Sequence, residues 1–575
     1  MALTNREIAE IFENVADLLQ LKGESVHRIL AYRHAAESIR ESPRDLRTMA
    51  AAGELQTLPN IGATLADKIN EMLSSGQLTF YEKLKAEIPL ELIQVLRVNG
   101  IGPKHTMQFY KELGLRSVAE VEAAAREGKL RTLSGIGEKS EKKILEAIQA
   151  FANRSDRVRI DVAMNAAESI ISALLALPGA LHGDIAGSLR RGRSTIGDID
   201  LLIASETAEP IMDAFVGRPD VARVLLQGPT KSSIELNNGL QCDLRVLDPQ
   251  RYGTALVYFT GSQAHNIRLR ELAQARGLTL NENAFTPLKG GAEILCESEE
   301  QVYTTLGLPL IPPELREDRG EIEAAQSGDL PTLITQADIH GDFHMHTVWS
   351  DGHLSVRQMA ELARARGLSH IVITDHSVSL GIANGLSIER LHQQRDEIRA
   401  VDAEMRPALR VLQGTEMEIK TDGTLDFPNE VLAELDVVVA SLHSGLRQPR
   451  EQVTARLLSA IRNPHVDIIG HPRGQLIPDR EGADLDMDAV FSAAAQTGTV
   501  LEINANPYRL DLDDAHAHRA VQMGVRLAID TDAHAAGDFD LLRYGILTAR
   551  RGWVRAADVI NTLPADEFMR WLQSR

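Results

Sequence analysis

Apolar residues recur at intervals of three and four positions through the first 150 residues of the chain. The spacing is clearest in EIAEIFENVADLLQL and in HRILAYRHAAESI, and no strand-like run interrupts it. This periodicity is typical of helices that bury one face. The sequence therefore predicts a helical amino-terminal region.

The carboxyl-terminal part has a different pattern, because seven apolar or β-branched runs alternate with helical segments from about residue 341 onwards. Alternating strands and helices predict a parallel barrel. Each run leads into a polar turn or a side chain that can bind metal. The runs end in GDFHMHT, IVITDHS, VLQGTEMEI, DVVVASLHS, VDIIGHP, TVLEINANP and RLAIDTDAH. Because barrel enzymes carry their chemistry at the carboxyl ends of the strands, we expect a site there.

Between these parts, residues from about 155 to 250 predict an apolar helix, DVAMNAAESIISALLAL, followed by strands. The stretch from Ile311 to about Ile339 has paired prolines, dense charge and then small residues. This composition is typical of an interdomain connection, which the prolines make semi-rigid.

Composition narrows the class of protein. A chain of 575 residues is too long for one core and indicates several domains. No apolar run approaches the length of a membrane span and the acidic start is unlike a signal peptide, so we expect a cytoplasmic protein without membrane contact. Two cysteines, Cys242 and Cys296, exclude a disulfide framework and a cysteine-based zinc site. The net charge of −20 still allows DNA binding, which depends on local patches.

Residues 187–200, GSLRRGRSTIGDID, combine two kinds of polar group. Asp198 and Asp200 begin an apolar run that is typical of a strand, so both carboxylates lie on one face and can share a cation. Upstream, a glycine turn, the Ser188 hydroxyl and the arginine pair can bind phosphate. Carboxylates for Mg²⁺ beside donors for phosphate predict a nucleotidyl-transfer site. The alternative is a capped turn before an ordinary strand.

Such a site needs a third carboxylate from a neighbouring strand. Asp243 in LQCDLRVLD fits, because Leu244 and Val246 alternate with Asp243 and Arg245. The competing interpretation is a surface acid on an edge strand.

An apolar-glycine turn that enters a helix occurs three times in the helical region, in LPNIGATLADKI, VNGIGPKHTMQF and LSGIGEKSEKKI. The backbone N–H groups at such a helix start can bind a DNA phosphate without reading bases. One copy alone would be a turn between helices, but three copies beside several lysines favour nonspecific DNA binding. The turns resemble the helix-hairpin-helix motif. The DNA-binding candidates are Gly62, Gly100, Gly102, Gly135, Gly137 and Lys139.

Residues 187–200, Asp243 and YFTGSQAHN at 258–266 together closely resemble the DNA polymerase X family, which includes polymerase β. The resemblance implies a mixed α/β nucleotidyltransferase palm and an α+β thumb, with Asp198, Asp200 and Asp243 as catalytic ligands of Mg²⁺ or Mn²⁺. It also implies nucleotide contacts at Gly187, Ser188, Arg191, Gly197, Tyr258, Phe259, Gly261, Asn266 and Arg270. Gln241 and Gln263 depart from the residues usual in the family.

The resemblance extends to the amino terminus, which is similar to a small domain that in some members removes a 5′-deoxyribose phosphate through a lysine Schiff base. Lys68 matches that catalytic lysine, with Arg28 and Tyr32 nearby in the matching segment. Lyase activity at Lys68 is therefore a hypothesis. The alternative is a solvated lysine on a helix surface.

The carboxyl-terminal part resembles the polymerase and histidinol phosphatase (PHP) domain. This implies a distorted (β/α)7 barrel with a trinuclear centre, and imidazole with carboxylate suits Mn²⁺ or Zn²⁺. Glu416 is expected to bridge two metals, with Glu418 as an alternative. The matching ligands are His344, His346, Asp351, His376, Glu416, His443, His471, Asp532 and His534.

The resemblance implies six consecutive regions. They are a lyase-like helical domain at 1–80, a helix-hairpin-helix domain at 81–153, the palm at 154–250, the thumb at 251–315, a linker at 316–340 and the PHP domain at 341–575.

Taken together, these features predict a monomeric DNA-directed DNA polymerase that fills short gaps during base excision repair. Its expected partners are gapped or primed double-stranded DNA and deoxynucleoside triphosphates. The PHP domain is expected to add a 3′-5′ exonuclease and an AP endonuclease or 3′-end-processing activity. The alternatives are a template-independent nucleotidyltransferase, a small-molecule phosphoesterase with a DNA-binding tether, and a nonenzymatic scaffold for repair partners.

Overall fold

The computed structural model describes residues 3–40, 42–98, 100–152 and 157–574. Contacts between Cα atoms divide the chain into two compact units, Met1–Ser155 and Asp156–Arg575. The expected boundary between residues 153 and 154 lies outside the described residues.

The first unit contains helices and turns, and none of its described residues forms a strand. Helix α1 begins after a Thr4 capping box with Glu7 and ends at Gly23 in the left-handed conformation. Its apolar face, with Ile8 and Phe12, is buried in the first core of the unit. The helices are α1 (Asn5–Lys22), α2 (Val26–Arg40), α3 (Leu46–Ala52), α4 (Ala63–Ser75), α5 (Thr79–Glu87), α6 (Leu92–Leu96), α7 (Pro103–Leu113), α8 (Val118–Arg126) and α9 (Glu138–Ala152).

The second unit begins with a mixed sheet. Its strand order is β2-β4-β7-β6-β5, with β4 and β7 parallel and the other neighbours antiparallel. Helices α10 and α12 cover one face through Ile170 and Phe215. The elements are β1 (Val158–Arg159), α10 (Ile160–Leu175), β2 (His182–Ile185), α11 (Gly187–Arg190), β3 (Thr195–Ile196), β4 (Asp198–Ala204), α12 (Glu209–Val216), β5 (Val221–Gln227), β6 (Lys231–Leu236) and β7 (Gln241–Leu247).

A smaller α+β region follows the sheet and has its own core around Leu269 and Tyr303. Its elements are α13 (Tyr252–Thr260), α14 (Gln263–Ala275), β8 (Leu278–Leu280), β9 (Phe285–Pro287), α15 (Glu299–Thr305) and α16 (Glu321–Ser327).

The segment at 316–340, which we expected to be a linker, is packed along its length. Its first part belongs to the core of the α+β region through Ile322 and Leu333. Its last part belongs to the next core through Ile334 and Ile339. The segment is therefore buried in the cores of the two regions that it connects, and it does not separate them.

Seven parallel strands form the remaining region in sequential order, β10 to β16. A parallel bridge between Met345 and Ala533 connects the two outer strands, so the barrel is nearly closed. The elements are β10 (Gly341–Asp342), α17 (Val356–Ala365), β11 (His370–Ile373), α18 (Ile388–Met405), β12 (Arg410–Glu418), α19 (Asn429–Leu432), β13 (Val437–Ser441), α20 (Arg450–Ile461), β14 (Ile468–Gly470), α21 (Met487–Thr497), β15 (Val500–Asn504), α22 (Asp514–Gln522), β16 (Leu527–Asp530), α23 (Leu542–Arg551) and α24 (Ala565–Gln573).

The amino-terminal end of the barrel is filled by apolar side chains. Phe568 of α24 stacks on Phe343 with ring centroids 4.3 Å apart, and Ile560 is buried in the same cluster. The polar side chains that we expect to bind metal lie at the opposite end, after the carboxyl ends of the strands. The fold class predicted from the sequence is thus confirmed in its helical region, its mixed sheet with a following α+β region, and its seven-stranded barrel.

The barrel packs directly on the mixed sheet region. Leu510 and Tyr544 from the barrel are buried in the same apolar core as Ile170 of α10. Within the described residues, no helix has both the length and the apolar character needed to cross a membrane.

Candidate active sites

The three aspartates of the mixed sheet lie on two adjacent strands. Asp200 of β4 and Asp243 of β7 are direct Cα partners, and Asp198 precedes Asp200 by two positions. On β7 the apolar side chains of Cys242 and Leu244 are buried, so Asp243 projects from the opposite face. The pairing places all three carboxylates near the amino-terminal ends of β4 and β7. Both strands are interior strands of the sheet.

Asp200 has a strongly perturbed carboxyl group. Burial raises its pKa, and the charges of Asp198 and Asp243 raise it further, to about 7. Gly187 lies against it, since a Cβ atom at this glycine would be 2.3 Å from Asp200 Oδ2. Gly187 also has a φ angle of 63°, so this position favours glycine for two independent reasons.

Two residues on the sheet contact Asp243 directly. The Lys231 ammonium on β6 lies 3.1 Å from Asp243 Oδ2, and the Gln241 amide donates a hydrogen bond of 2.9 Å to Oδ1. The sequence identified Gln241 as a departure from the family but missed Lys231. Lys231 supplies a cation from the neighbouring strand, and only strand pairing could have revealed it.

Arg191, expected to contact a nucleotide, lies in a buried ionic network. Its Nε atom lies 3.0 Å from Glu317 Oε1 and its Nη1 atom donates to the Thr260 carbonyl. Gly261 approaches the same guanidinium, because a Cβ atom there would lie 3.1 Å from Nη1. A phosphate contact by Arg191 therefore requires an exchange of at least one of these partners. Ser188 lies on the preceding short helix α11.

The other expected nucleotide-binding residues lie around the end of α13. Tyr258 is 38% exposed, and Asn266 of α14 donates a hydrogen bond of 2.7 Å to its carbonyl. Arg270 donates to the Asn266 carbonyl at 3.3 Å. Tyr258, Asn266 and Arg270 line one small pocket. Phe259 faces the sheet, with the Arg245 guanidinium 4.1 Å above its ring. Gly197 immediately precedes Asp198.

In the barrel, all nine expected ligands converge at the carboxyl ends of the strands. Glu416 is central: Oε2 lies 2.8 Å from His376 Nδ1, and Oε1 lies 3.0 Å from His443 Nε2 and 2.8 Å from His471 Nε2. Four overlapping groups have ligand atoms within 4.8 Å of one another. They are His346, Asp351, His376 and His534; His344, His346 and Glu416; His344, His471 and Asp532; and His376, Glu416 and His443.

Two members of this cluster, His346 and Glu416, have protonation states that suit metal ions. Burial lowers the pKa of His346, and His376 and His534 lower it further, to about 3. Burial raises the pKa of Glu416, but the neighbouring histidines outweigh this effect and hold it well below its usual range. Neutral imidazole and ionised carboxylate are the metal-binding forms. Both ring nitrogens of His346 are buried without a hydrogen-bond partner among the described residues, as expected of atoms that face an ion.

Two further carboxylates hold the cluster from outside. Glu502 accepts a hydrogen bond of 2.7 Å from His344 Nδ1, and Glu418 accepts one of 2.7 Å from His443 Nδ1. Glu418, the alternative bridging residue, therefore contacts the expected ligand His443, whereas Glu416 belongs to the ligand groups themselves. The sequence missed Glu502, although it lies two positions before Asn504 and so shares its face of the strand.

The backbone is strained at two of the expected ligands. His471 has a φ angle of 26° and Asp532 one of 53°, in the left-handed region that non-glycine residues rarely adopt. Such conformations cost on the order of 1–3 kcal/mol each and concentrate at functional sites.

In the first unit, each of the three repeated turns leads directly into a helix. Helices α4, α7 and α9 begin immediately after Gly62, Gly102 and Gly137. Two positions earlier, Gly100 and Gly135 have φ angles of 82° and 86°, and Asn60 takes the same conformation at 63°. The three turns thus share one geometry, because asparagine tolerates the left-handed region. Lys139 is exposed in the first turn of α9.

Lys68 on α4 lies in a small aromatic and basic cluster. Its Nζ atom is 4.5 Å from the ring centroid of Phe80, and Arg28 contacts the same ring from 5.3 Å. Tyr32 stacks on Phe80 with the centroids 6.2 Å apart. Partial burial lowers the pKa of Lys68, Arg28 lowers it further, and Glu71 opposes the shift. A lowered pKa makes a lysine a better nucleophile.

Family models match most of these regions. They are a helix-hairpin-helix domain at residues 3–78, a SAM-like helix-hairpin-helix tandem at 92–150, a DNA polymerase beta thumb at 255–317 and a PHP domain at 342–506. The helical unit, the α+β region and the barrel thus each match a known domain.

Individual proteins that are similar to the chain agree with the family models. The chain is 38% identical over 558 residues to the DNA polymerase/3′-5′ exonuclease PolX of Bacillus subtilis (strain 168), a match that covers 97% of both chains. A probable phosphatase of Thermoanaerobacter sp. (strain X514) is 30% identical over 234 residues, which are 38% of this chain and 89% of the phosphatase. A probable phosphatase of Caldanaerobacter subterraneus subsp. tengcongensis is 34% identical over 216 residues, 35% of this chain and 78% of that protein.

Proposed function

This chain belongs to the family X DNA polymerases that carry a carboxyl-terminal PHP domain, and we propose that it extends primers at the mixed sheet and degrades 3′ ends at the barrel. Its relative from Bacillus subtilis is named for both activities and matches over nearly the full length. The observation that supports the proposal best is the presence of two separate sets of ligands, one carboxylate and one mixed with imidazole.

At the sheet, Asp198, Asp200 and Asp243 would hold Mg²⁺ or Mn²⁺. At a site of this kind, the ions supply activation of the primer 3′-hydroxyl and charge neutralisation on the triphosphate. The bond formed joins the primer 3′-oxygen to the α-phosphorus of the nucleotide, and pyrophosphate leaves. Ser188 and Arg191 would orient the triphosphate, and Tyr258, Phe259 and Gly261 would select the sugar.

At the barrel, the nine ligands would hold three ions, and we propose Mn²⁺ or Zn²⁺ from the ligand types. The chemistry supplied by such ions is activation of water and stabilisation of charge on the phosphate. Glu502 and Glu418 would fix the orientation of His344 and His443 through their Nδ1 atoms, which leaves Nε2 of each ring as the ligand atom.

The first unit would bind gapped or primed DNA through its three hairpin turns. The first helical domain would hold the downstream DNA end, where Lys68 would carry out the lyase reaction. We also propose that the expected boundaries at residues 80, 153 and 250 delimit functional domains, and that gap filling serves base excision repair. AP endonuclease activity belongs to the same proposal and would use the barrel ligands.

A gapped primer-template with a labelled primer tests the proposal. With Mg²⁺ or Mn²⁺ and all four deoxynucleotides, the primer should extend to the end of the gap. Without nucleotides, the same primer should shorten from its 3′ end. A homopolymeric tail on single-stranded primer would instead indicate a template-independent transferase.

The probable phosphatases that match the barrel favour a second candidate, a small-molecule phosphoesterase. Release of phosphate from histidinol phosphate, with no shortening of DNA, would establish that function in place of the nuclease. Shortening of DNA without phosphate release would exclude it.

A further inference from the structure

Arg509 is one of two barrel arginines, with Arg395, that have a buried guanidinium nitrogen without a hydrogen-bond partner among the described residues, and it is the one that lies beside the expected ligand Asp532. Its Nη1 atom is shielded from solvent and makes no hydrogen bond within the part of the chain that the structure describes. Its Nε atom lies 3.4 Å from Asp532 Oδ2, and 19% of the side chain is exposed. A buried donor without a partner is costly, so the free end of Arg509 requires an explanation.

Four other arginines of the barrel region are already paired. Arg473 donates to Asp513 Oδ2 at 2.9 Å, Arg450 to Asp484 Oδ1 at 3.0 Å, and Arg519 to Asp488 Oδ1 at 3.2 Å. Arg480 donates to the carbonyl of Gly474 at 2.9 Å. Arg509 therefore differs from its neighbours both in its free nitrogen and in its position beside the ligand cluster.

The contact with Asp532 places Arg509 at the edge of that cluster. Asp532 turns its other oxygen, Oδ1, towards His346 Nε2 at 3.2 Å and His344 Nε2 at 3.7 Å. Arg509 thus approaches the same carboxylate from the side away from the histidines. An anion held by the cluster would lie within reach of a guanidinium so placed, and arginine is well suited to phosphate.

The loop that carries Arg509 is held from both sides. The Arg509 carbonyl accepts a hydrogen bond of 2.6 Å from Gln475, and Leu510 is buried in the core of the sheet region. The preceding Tyr508 packs beneath the Arg159 guanidinium of the sheet region, 3.4 Å from the ring centroid. The backbone at Arg509 is therefore fixed before any substrate arrives, which lowers the entropic cost of binding.

We propose that Arg509 binds a non-bridging oxygen of the scissile phosphodiester in the barrel site and is a catalytic residue of the 3′-5′ exonuclease. This inference rests on the proposed nuclease function. In that reaction water adds to phosphorus, the bond to the 3′-oxygen of the preceding nucleotide breaks, and that oxygen leaves as a hydroxyl after gaining a proton from the water. The product is a nucleoside 5′-monophosphate, whose phosphate Arg509 would also contact.

The test compares Arg509→Ala and Arg509→Lys with the unmodified protein and with Arg519→Ala, whose arginine is paired elsewhere on the barrel. The measurements are the single-turnover rate of 3′ degradation with Mn²⁺, the bound metal per chain, and inhibition by the product dAMP. We expect Arg509→Ala to slow degradation about 10²- to 10³-fold, as for the loss of one charge-stabilising donor. Bound metal should be unchanged and dAMP inhibition should be weaker. Arg509→Lys should be intermediate, because it keeps the charge and loses the planar fork.

Three results would overturn the inference: an Arg509→Ala rate equal to that of Arg519→Ala, a slow rate accompanied by loss of metal, or a slow rate with unchanged dAMP inhibition. The second and third results would indicate that Arg509 acts only as a structural partner of Asp532. If the unmodified protein does not shorten DNA, the proposed nuclease itself fails, and that result is distinguishable from all three.

Discussion

Asp200 and Asp243 face each other as Cα partners on the parallel strands β4 and β7. Together with Asp198, they bring three carboxylates near the amino-terminal ends of these strands, where burial and mutual repulsion raise the pKa of Asp200 to about 7. We propose that this site holds a cation, because without one the three carboxylates repel one another and strain the fold.

Metal-free protein should show this strain as a pH-dependent loss of stability. A carboxyl group whose pKa rises from an ordinary 3.8 to about 7 takes up a proton on folding, so its destabilising effect grows as the pH rises between these values and is complete above pH 7. In EDTA, we expect Asp200→Asn to raise the free energy of unfolding by on the order of 2 kcal/mol at pH 8 and by about half as much at pH 5.5. Denaturant titration measures both values.

The exposed Asp213 on α12 provides a matched control. Asp213→Asn should change stability little at either pH. A gain from Asp200→Asn that is equal at the two pH values, or absent at pH 8, would contradict the account of this site.

Lys231 should weaken cation binding at the sheet, because its ammonium occupies one oxygen of Asp243 at 3.1 Å. Replacing it by methionine removes a competitor worth about 0.5–1 kcal/mol at a partly exposed pair. The Mg²⁺ concentration for half-maximal extension should then fall about two- to fivefold. Arg223→Met, which removes the Arg223–Glu235 pair on the same sheet, should leave it unchanged. A higher Mg²⁺ requirement in Lys231→Met would show instead that the lysine supports the site.

Arg551 of the barrel should affect the polymerase, because it contacts the turn at Arg191 that we propose binds the nucleotide. Its Nη1 atom donates to the Arg191 carbonyl at 2.7 Å and lies 2.8 Å from Glu317, the carboxylate that also holds the Arg191 side chain. Arg551→Met leaves the buried Glu317 with less positive charge around it and should destabilise the second unit by about 3–5 kcal/mol. Thermal unfolding measures the loss of stability. The KM for deoxynucleotides during extension measures the effect on the polymerase.

Arg543 lies on the same helix and pairs with Glu168 at a partly exposed position. Arg543→Met should cost less than about 1 kcal/mol and leave the nucleotide KM unchanged. Equal effects of the two substitutions would mean that the network around Arg191 does not position the nucleotide.

Lys68 provides a test of the lyase hypothesis. Sodium borohydride should trap the protein on DNA that carries a 5′-deoxyribose phosphate, because reduction of the Schiff base makes the bond permanent. Lys68→Ala should remove the adduct, whereas Lys22→Ala on α1, whose lysine pairs with Glu87, should retain it. An adduct of equal yield in Lys68→Ala would assign the chemistry to another amine.

Local patterns in the sequence were sufficient for the elements and for most of the candidate ligands. The alternation around Asp243 identified β7 and its polar face, and expected ligands such as His443 and His471 closely follow apolar runs. Each of these signals is contained within a few neighbouring residues, because strand periodicity is local.

The contacts that tune the sites could not be predicted in this way. Lys231 is twelve positions from Asp243, Glu502 is 158 positions from His344, and Glu317 is 126 positions from Arg191. The charged stretch around Glu317 has the composition of a connection, yet its carboxylate is buried against arginines from two distant segments. Burial of that kind depends on tertiary pairing, which composition does not report.

We propose that one chain holds two independent cation sites, one that joins nucleotides and one that removes them. The decisive measurement is a gapped primer-template assay on Asp198→Ala and His344→Ala, both shown to be folded, with Mg²⁺ or Mn²⁺ present and deoxynucleotides added or withheld. We predict that Asp198→Ala stops extension and still shortens the primer, and that His344→Ala extends the primer and no longer shortens it. Loss of both activities in either folded variant would contradict the account.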